Sequence, residues 1–497
     1  MRSREKIVIV GGGLAGLSTA CYARMQGFDT VIVEHGPSLG GVCTAWQRGP
    51  YTVDGCLHWL TGGPFTKIYE ELGIIPPVRV RPLDSFATYR DSASGWTTNV
   101  DADLNALRFE LASLSPVDAP ELARLIEGAR AFAGSESMIE RPPELQSLRD
   151  GLGSMWRMRS LAGPLIHFRK PLGVWAREHL RDERLQQLFL SLFPGETPTF
   201  FLLMVLGYLE KGWLLHPVGG TARFREAIVD RHHELGGEAV CNATVEEILV
   251  DDDRAYGVRL TDGSTIESDL VVSTASGPET VLRLLAGRYG AEEMRTRLAK
   301  WKLFQPIVLL TLGVAQPFAD WPATTIIDNI APLRVGGFDN DRLYLRVYHA
   351  DPEGNDGYAP AGHSVVQVLL QTEYDWWASR GVRYEAEKDE VALRLLERLE
   401  PLLPGLTLGV RMLDMATPLT FWRHARSWRG AYEGWMPSAD AVFGHVPKTL
   451  PGLRDFYMAG QWVEPGGGVP TALMSGRQLV QILCERTGRS FSADRQL

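Results

Sequence analysis

The stretch KIVIVGGGLAGLSTACYARMQGFDTVIVE, residues 6–34, constrains the fold more than any other segment. Two continuous apolar runs, KIVIV and DTVIVE, flank a glycine turn and a helical stretch. Runs without polar alternation are expected of parallel strands covered on both faces. Gly11-x-Gly13-x-x-Gly16 closes the first strand and opens the helix. Its glycines allow a tight turn, close approach of a pyrophosphate to backbone, and close helix–strand packing. The helix start at Leu14 and Ala15 offers free N–H groups and a partial positive charge to phosphates. Glu34, ending the second strand, is placed to accept hydrogen bonds from a ribose diol. A dinucleotide site is the expectation.

A second turn of the same kind lies near the other end, in GQWVEPGGGVPTALMSGRQLV, residues 460–480. Gly460 ends a strand, Gly466, Gly467 and Gly468 allow close backbone approach, and a helix is expected from near Val469 and Pro470. Its positive end suits a flat ring system that carries negative charge when reduced. Ala472, Ser475 and Gly476 keep that helix slim. The Gly40–Gly41 pair follows Glu34 where a nicotinamide-binding chain continues with another strand–helix unit. Both features choose FAD over NAD: one long cofactor gripped at its phosphates by the start of the chain and at its ring by the end.

At 497 residues the chain exceeds one hydrophobic core, so at least two domains are expected. A net charge of −9 opposes a nucleic-acid partner. Five scattered cysteines without a CxxC pair exclude a disulfide framework or a zinc site as the organising idea, so no metal is expected. The N-terminal residues show no apolar signal core, and the most apolar run, residues 200–209, is too short to span a bilayer. A cytoplasmic protein with possible peripheral membrane contact is expected.

Along the chain, strand-like SFATYR and GWTTNV precede helical stretches rich in Leu, Arg and Trp up to about residue 213. Residues 216–275 return to a glycine turn, a helix with Phe224, Ile228 and Leu235 on one face, a hairpin and the apolar strand DLVVST. Strands of a second sheet are expected at 304–314, 342–349 and 363–371, and an amphipathic helix over 388–403. The fold class is α/β, with two domains visited alternately: 1–80, 215–290 and 425–497 for the cofactor, 81–214 and 291–424 for the substrate.

The segments VIVGGGLAGLSTACYARMQGFDTVIVE, GGVCTAWQRGPYTVDG, HPVGGTARFREAI and YMAGQWVEPGGGVPTALMSGR resemble the phytoene desaturase, carotenoid isomerase and retinol saturase group of flavoproteins. The resemblance covers the cofactor segments and implies a glutathione-reductase-like FAD-binding Rossmann domain with an interleaved mixed α/β substrate domain. It implies hydride movement between flavin and long conjugated, isoprenoid or polyketide-derived chains, with NAD(P)H, quinone or oxygen as electron partner. It also implies a backbone contact from Val245 to the adenine. Where carotene desaturases continue with a Gly-Pro-containing stretch, this chain has VDGCLHWL, residues 53–60. By the resemblance that stretch lies near the ring, so His58 or Trp59 is expected to face substrate.

His58 is a candidate proton donor or acceptor because its ordinary pKa lies near neutrality; the alternative is a hydrogen-bonded structural histidine. Glu464, beside the last glycine turn, is a second candidate. SWRGAYEGWMPS, residues 427–438, reads as a loop over the ring, with Arg429 either binding a polar head group or forming a surface ion pair. Tyr432, Trp435 and other tryptophans (175, 213, 376, 377, 422, 428, 462) are candidates to line an apolar tunnel. A flavin amine oxidase and a non-enzymatic prenyl-lipid escort on the same scaffold are the competing readings.

Overall fold

In the computed structural model, the structure describes residues 5–134, 141–147, 153, 161–349, 357–442, 444 and 446–493. Parts of the helical stretch expected before residue 213, namely 135–140, 148–152 and 154–160, lie outside them.

The first apolar run forms the middle strand of a five-stranded sheet. The sheet order is Glu238–Val240, Asp29–Val33, Lys6–Val10, Leu270–Ser273 and Phe456–Met458, and every pairing is parallel. By chain order this is 3-2-1-4-5, a doubly wound arrangement. Alternate residues of the middle strand serve two different cores. Ile7 and Ile9 pack with Leu17, Leu473 and Leu479 of helices on one face. Val8 and Val10 pack with Val245, Ile248 and Val258 of an antiparallel three-stranded meander on the other. Neither face meets water, which is why the strand carries no polar alternation. Each such side chain contributes roughly 1.5–3 kcal/mol by leaving water.

The helix Leu14–Met25 and the last helix, Val469–Thr487, cross in close contact on that sheet. A Cβ on Gly476 would stand 2.7 Å from the Thr19 nitrogen and 2.8 Å from Ser18 Oγ. Ser18 Oγ donates to the Leu473 carbonyl at 2.6 Å, and the Gly460 N–H donates to Ser475 Oγ at 2.8 Å. The small residues of the last helix are therefore a packing requirement.

A seven-stranded sheet has the order Val410–Ala416, Ile307–Val314, Ser364–Gln371, Leu343–His349, Thr324–Asp328, Ser85–Asp91 and Thr97–Asp101. It is antiparallel except between Thr324–Asp328 and Ser85–Asp91. The expected strands appear at Ile307–Val314, Leu343–His349 and Ser364–Gln371, and the amphipathic helix at Tyr384–Leu399. That helix buries Val391, Leu395 and Leu399 against the sheet. A separate helical layer includes Ala119–Ala133 and Thr199–Glu210, which approach closely enough that a Cβ on Gly207 would stand 2.1 Å from the Ala129 carbonyl oxygen.

The expected cuts at 80/81 and 214/215 fall inside a small sheet of Leu60–Thr61, Leu214–Pro217 and Val80–Pro82. Hydrogen bonds thus stitch the two regions together at a point with no linker-like composition. Among the described residues, no helix is long and apolar enough to cross a membrane.

Replacing Gly476 by Val is expected to force the two helices apart and cost about 1–3 kcal/mol. Urea unfolding of the variant beside the parent checks this; an unchanged midpoint would contradict the close crossing.

Candidate functional site

Both glycine-rich turns open on one cavity of about 1390 Å³. At one end its wall is Gly11, Gly13, Leu14, Ala15, Glu34, Gly40, Gly41 and Val245. Gly460, Gly467, Gly468 and Val469 border the same space, and His58, Trp59 and Tyr432 line it further along. Gly16 lies outside the wall; a Cβ there would be 2.1 Å from the Gly11 carbonyl oxygen, so it serves helix–strand contact.

The phosphate end is built from backbone. The Gly40 N–H donates to the Gly12 carbonyl at 2.8 Å, and a Cβ on Gly41 would sit 3.0 Å from the Gly13 Cα. Glu34 accepts from the Gly12 N–H at 2.6 Å and the Gly36 N–H at 2.7 Å, which fixes its carboxylate on the cavity wall. A carboxylate offers about four acceptor positions, so capacity remains for a diol.

The helices Leu14–Met25 and Val469–Thr487 start alike. Each begins after a glycine, with no side-chain capping bond and no acidic residue in its first turn. Such ends leave N–H groups and positive charge unanswered, and both adjoin the cavity. A bound group with anionic phosphates at one end and an electron-rich ring at the other fits this pair of starts and the glycine walls between them.

Glu433 is placed by the sequence in the loop over the ring but is assigned no role there. It lines the cavity beside the last turn, where a Cβ on Gly467 would stand 2.6 Å from its Cβ and 3.0 Å from its carbonyl oxygen. Gly467, at φ +65°, is required there on both counts. Burial pushes the Glu433 carboxyl up to about 7. The available signal was an acidic residue between glycines in GAYEGW, just before the last turn. Tyr432 beside it is raised by burial and by the Glu433 charge.

His58 lines the cavity, but burial, assisted by the Arg346 charge, lowers it to about 3. The expectation of a histidine titrating near neutrality is corrected: His58 is neutral there. Three other candidates stand off the cavity wall. Arg429 is half-exposed and forms an ion pair with Asp375. Glu464 pairs with Lys448, which is 1% exposed and also lies 3.7 Å from Glu144. Trp435 is fully buried, donates from Nε1 to the Trp462 carbonyl at 3.2 Å, and packs edge-on against Trp301 and Trp462. Each was placed by nearness in sequence to the last turn, and tertiary packing turns each elsewhere.

Of the expected tryptophans, Trp59 and Trp462 line the cavity, whereas Trp175 and Trp377 fill separate cores. Several phenylalanines also line the apolar wall: Phe86, Phe193, Phe201, Phe304 and Phe421. Trp59 meets Phe86 edge-on at 5.0 Å, and Phe86 stacks on Phe193 at 6.4 Å. Aromatic rings contribute large apolar area with few rotatable bonds, as a chain-binding surface needs.

Comparison with known proteins gives a consistent picture. The family model described as flavin containing amine oxidoreductase matches residues 14–484. The chain is 26% identical over 518 residues to phytoene desaturase (lycopene-forming) of Pseudescherichia vulneris, covering 97% of this chain and 99% of that one. It is 24% identical to the chloroplastic prolycopene isomerase of Arabidopsis thaliana, covering 94% and 81%. Cyclohexylamine oxidase from Brevibacterium oxydans shares the fold, with a TM-score of 0.61 at 15% identity, over 98% of this chain and 100% of that structure.

Two substitutions separate the acidic residues. Glu464→Gln strands the buried Lys448 ammonium with only the more distant Glu144, and is expected to destabilise the protein by about 3 kcal/mol. Glu433→Gln acts with the opposite sign. A carboxyl raised from 4.5 to about 7 holds its proton in the folded chain while the unfolded chain ionises. The parent therefore loses stability relative to Glu433→Gln as pH rises across that window, and the difference levels off above it. Urea midpoints of parent and variants at pH 4.5 and 8 read both effects; a pH-independent difference for Glu433→Gln would contradict its buried carboxyl.

Proposed function

The chain belongs to the family of flavin-containing amine oxidoreductases, and from that premise we propose that its substrate is an unsaturated, largely apolar chain of polyene, isoprenoid or polyketide-derived type. The chain is an FAD-dependent oxidoreductase, and the glycine walls and two uncapped helix starts fit FAD. The observation that carries the substrate reading is the continuity of this cradle with an aromatic-walled space. A single drug-sized ligand occupies roughly 300–1,000 Å³; the cavity, at about 1390 Å³, has room for a second molecule beside a cofactor. The phytoene and prolycopene named for its relatives are chains of this class.

FAD held there supplies hydride acceptance or donation at its ring. The protein's share is orientation, exclusion of water and proton handling. Trp59, Phe86 and Phe193 form one flank against which an extended chain lies. Glu433, poised near neutrality and facing the cavity, holds or accepts the proton that accompanies hydride movement. Neutral His58 serves as a polar wall group.

A protonated amine substrate is less well served. No lysine is among the residues that line the cavity, whereas four arginines are: Arg81, Arg283, Arg346 and Arg426. A fixed cation in a low-dielectric space opposes entry of a second one. A cofactor-free escort would have no use for the phosphate cradle. An apolar substrate class suits a protein that works from an aqueous compartment and meets membranes peripherally, with a nicotinamide, quinone or oxygen as electron partner.

The purified protein is expected to be yellow and to release FAD on denaturation. Gly13→Val, which puts a branched side chain where the phosphates approach, is expected to lose the cofactor while keeping the fold by circular dichroism. Anaerobic incubation of reduced and oxidised protein with conjugated polyenes, followed by product chromatography, tests the substrate class. Turnover of simple amines with no change in any polyene would overturn it.

A further inference from the structure

The strand Leu343–His349 divides its side chains between two environments. Leu343, Leu345 and Val347 enter the apolar core under the seven-stranded sheet. Tyr344, Arg346 and Tyr348 line the cavity. Arg346 is 8% exposed, yet it has no carboxylate partner among the described residues. Its one hydrogen bond there runs from Nη1 to the Leu57 carbonyl at 3.5 Å, and its Nε is buried without a partner. Its guanidinium carbon lies 5.1 Å from the Tyr348 ring centroid, and Tyr348 Oη is likewise buried and unpartnered.

Asp54 is the acidic group nearest in influence, since its charge acts on both Tyr348 and Tyr358. Its oxygens are already occupied: they accept from the Thr221 N–H, Thr221 Oγ1, the Cys56 N–H and Tyr358 Oη. Asp54 therefore secures the start of the helix Gly220–Glu234 and leaves Arg346 unanswered. A buried cation without a counter-charge is costly unless something completes it. Guanidinium donors in a planar fork match a carboxylate bidentately.

We propose that Arg346, with Tyr348 Oη beside it, anchors an anionic oxygenated head group of the substrate, so that the enzyme acts on an unsaturated apolar acid and not on a pure hydrocarbon. This rests on the polyene reading above and adds the chemistry of one end of the chain. The head group is fixed by the guanidinium, and the tail extends along the phenylalanine wall. His58 borders the same region, where the Arg346 charge helps keep it unprotonated. The lasting positive charge beside His58 is thus that of Arg346.

The test uses the full-length FAD-loaded protein with parinaric acid, a conjugated C18 polyene acid, and its methyl ester. Fluorescence titration gives both affinities. The acid is expected to bind at least about tenfold more tightly than the ester, as one charged hydrogen-bonded contact provides. Arg346→Met is expected to abolish the preference with FAD content unchanged, and Arg346→Lys to retain part of it. Tyr348→Phe is expected to weaken the acid alone, which keeps the question open to measurement if Arg346→Met does not fold. Equal affinity of acid and ester for the parent overturns the anchor and leaves the polyene reading standing. Loss of FAD from folded Arg346→Met also overturns it, by assigning the guanidinium to the cofactor. Failure of both probes to bind overturns the polyene reading, and the anchor with it.

Discussion

The crossing of the first and last long helices is the contact on which the site depends. Residues 14–25 and 469–487 are separated by most of the chain, yet Gly476 meets Thr19 with no room for a Cβ. Ser18 and Ser475 place hydrogen bonds on either side of that crossing. The crossing sets where both helices begin, and their starts are the two ends of the proposed cofactor cradle. Widening it by one methyl group would move one positive helix end relative to the other. A cofactor that spans both could then satisfy only one of them. Stability and cofactor geometry are therefore set by the same few small residues.

The sheet beneath explains why this crossing is rigid. The strand Lys6–Val10 buries alternate residues in two different cores, one under the helices and one under the meander. A register shift of one residue would exchange the two sets, but both sets are apolar and β-branched. Register is held instead by the turn, where Thr274 Oγ1 bonds the carbonyls of Val10 and Gly11 at 3.0 and 2.9 Å. Gly16 stacks directly on that Gly11 carbonyl. The motif glycines thus act on the protein's own backbone as much as on a ligand.

Features with a local physical cause were legible in the sequence. Glycine turns between apolar runs and helices require particular backbone shapes, and Glu34 lies at a spacing set by one strand–helix–strand unit. The second-sheet strands were likewise visible as apolar or alternating runs. The side chains around the reaction space were harder to read. Arg429, Glu464 and Trp435 are close in sequence to the last turn, but each is claimed by a partner that is distant in sequence or packed behind the wall: Asp375, Lys448 and the Trp301–Trp462 cluster. Arg346 escaped notice because one arginine in LYLRVYH resembles any solvent-facing position of an alternating strand. Only the sheet's placement shows that this strand has no solvent-facing side there.

Charge in the cavity follows from the same placement. Asp54 is engaged by four hydrogen-bond donors, His58 is held neutral by burial, and Glu433 is shifted toward its neutral form. Burial acts on His58 and Glu433 in one direction, against net charge. Arg346 cannot follow, because a guanidinium does not lose its proton in proteins. Arg346 therefore stands on the wall with no carboxylate paired to it among the described residues. A protein gains nothing in stability from such an arrangement. Its persistence there is accounted for by a ligand that brings the missing negative charge.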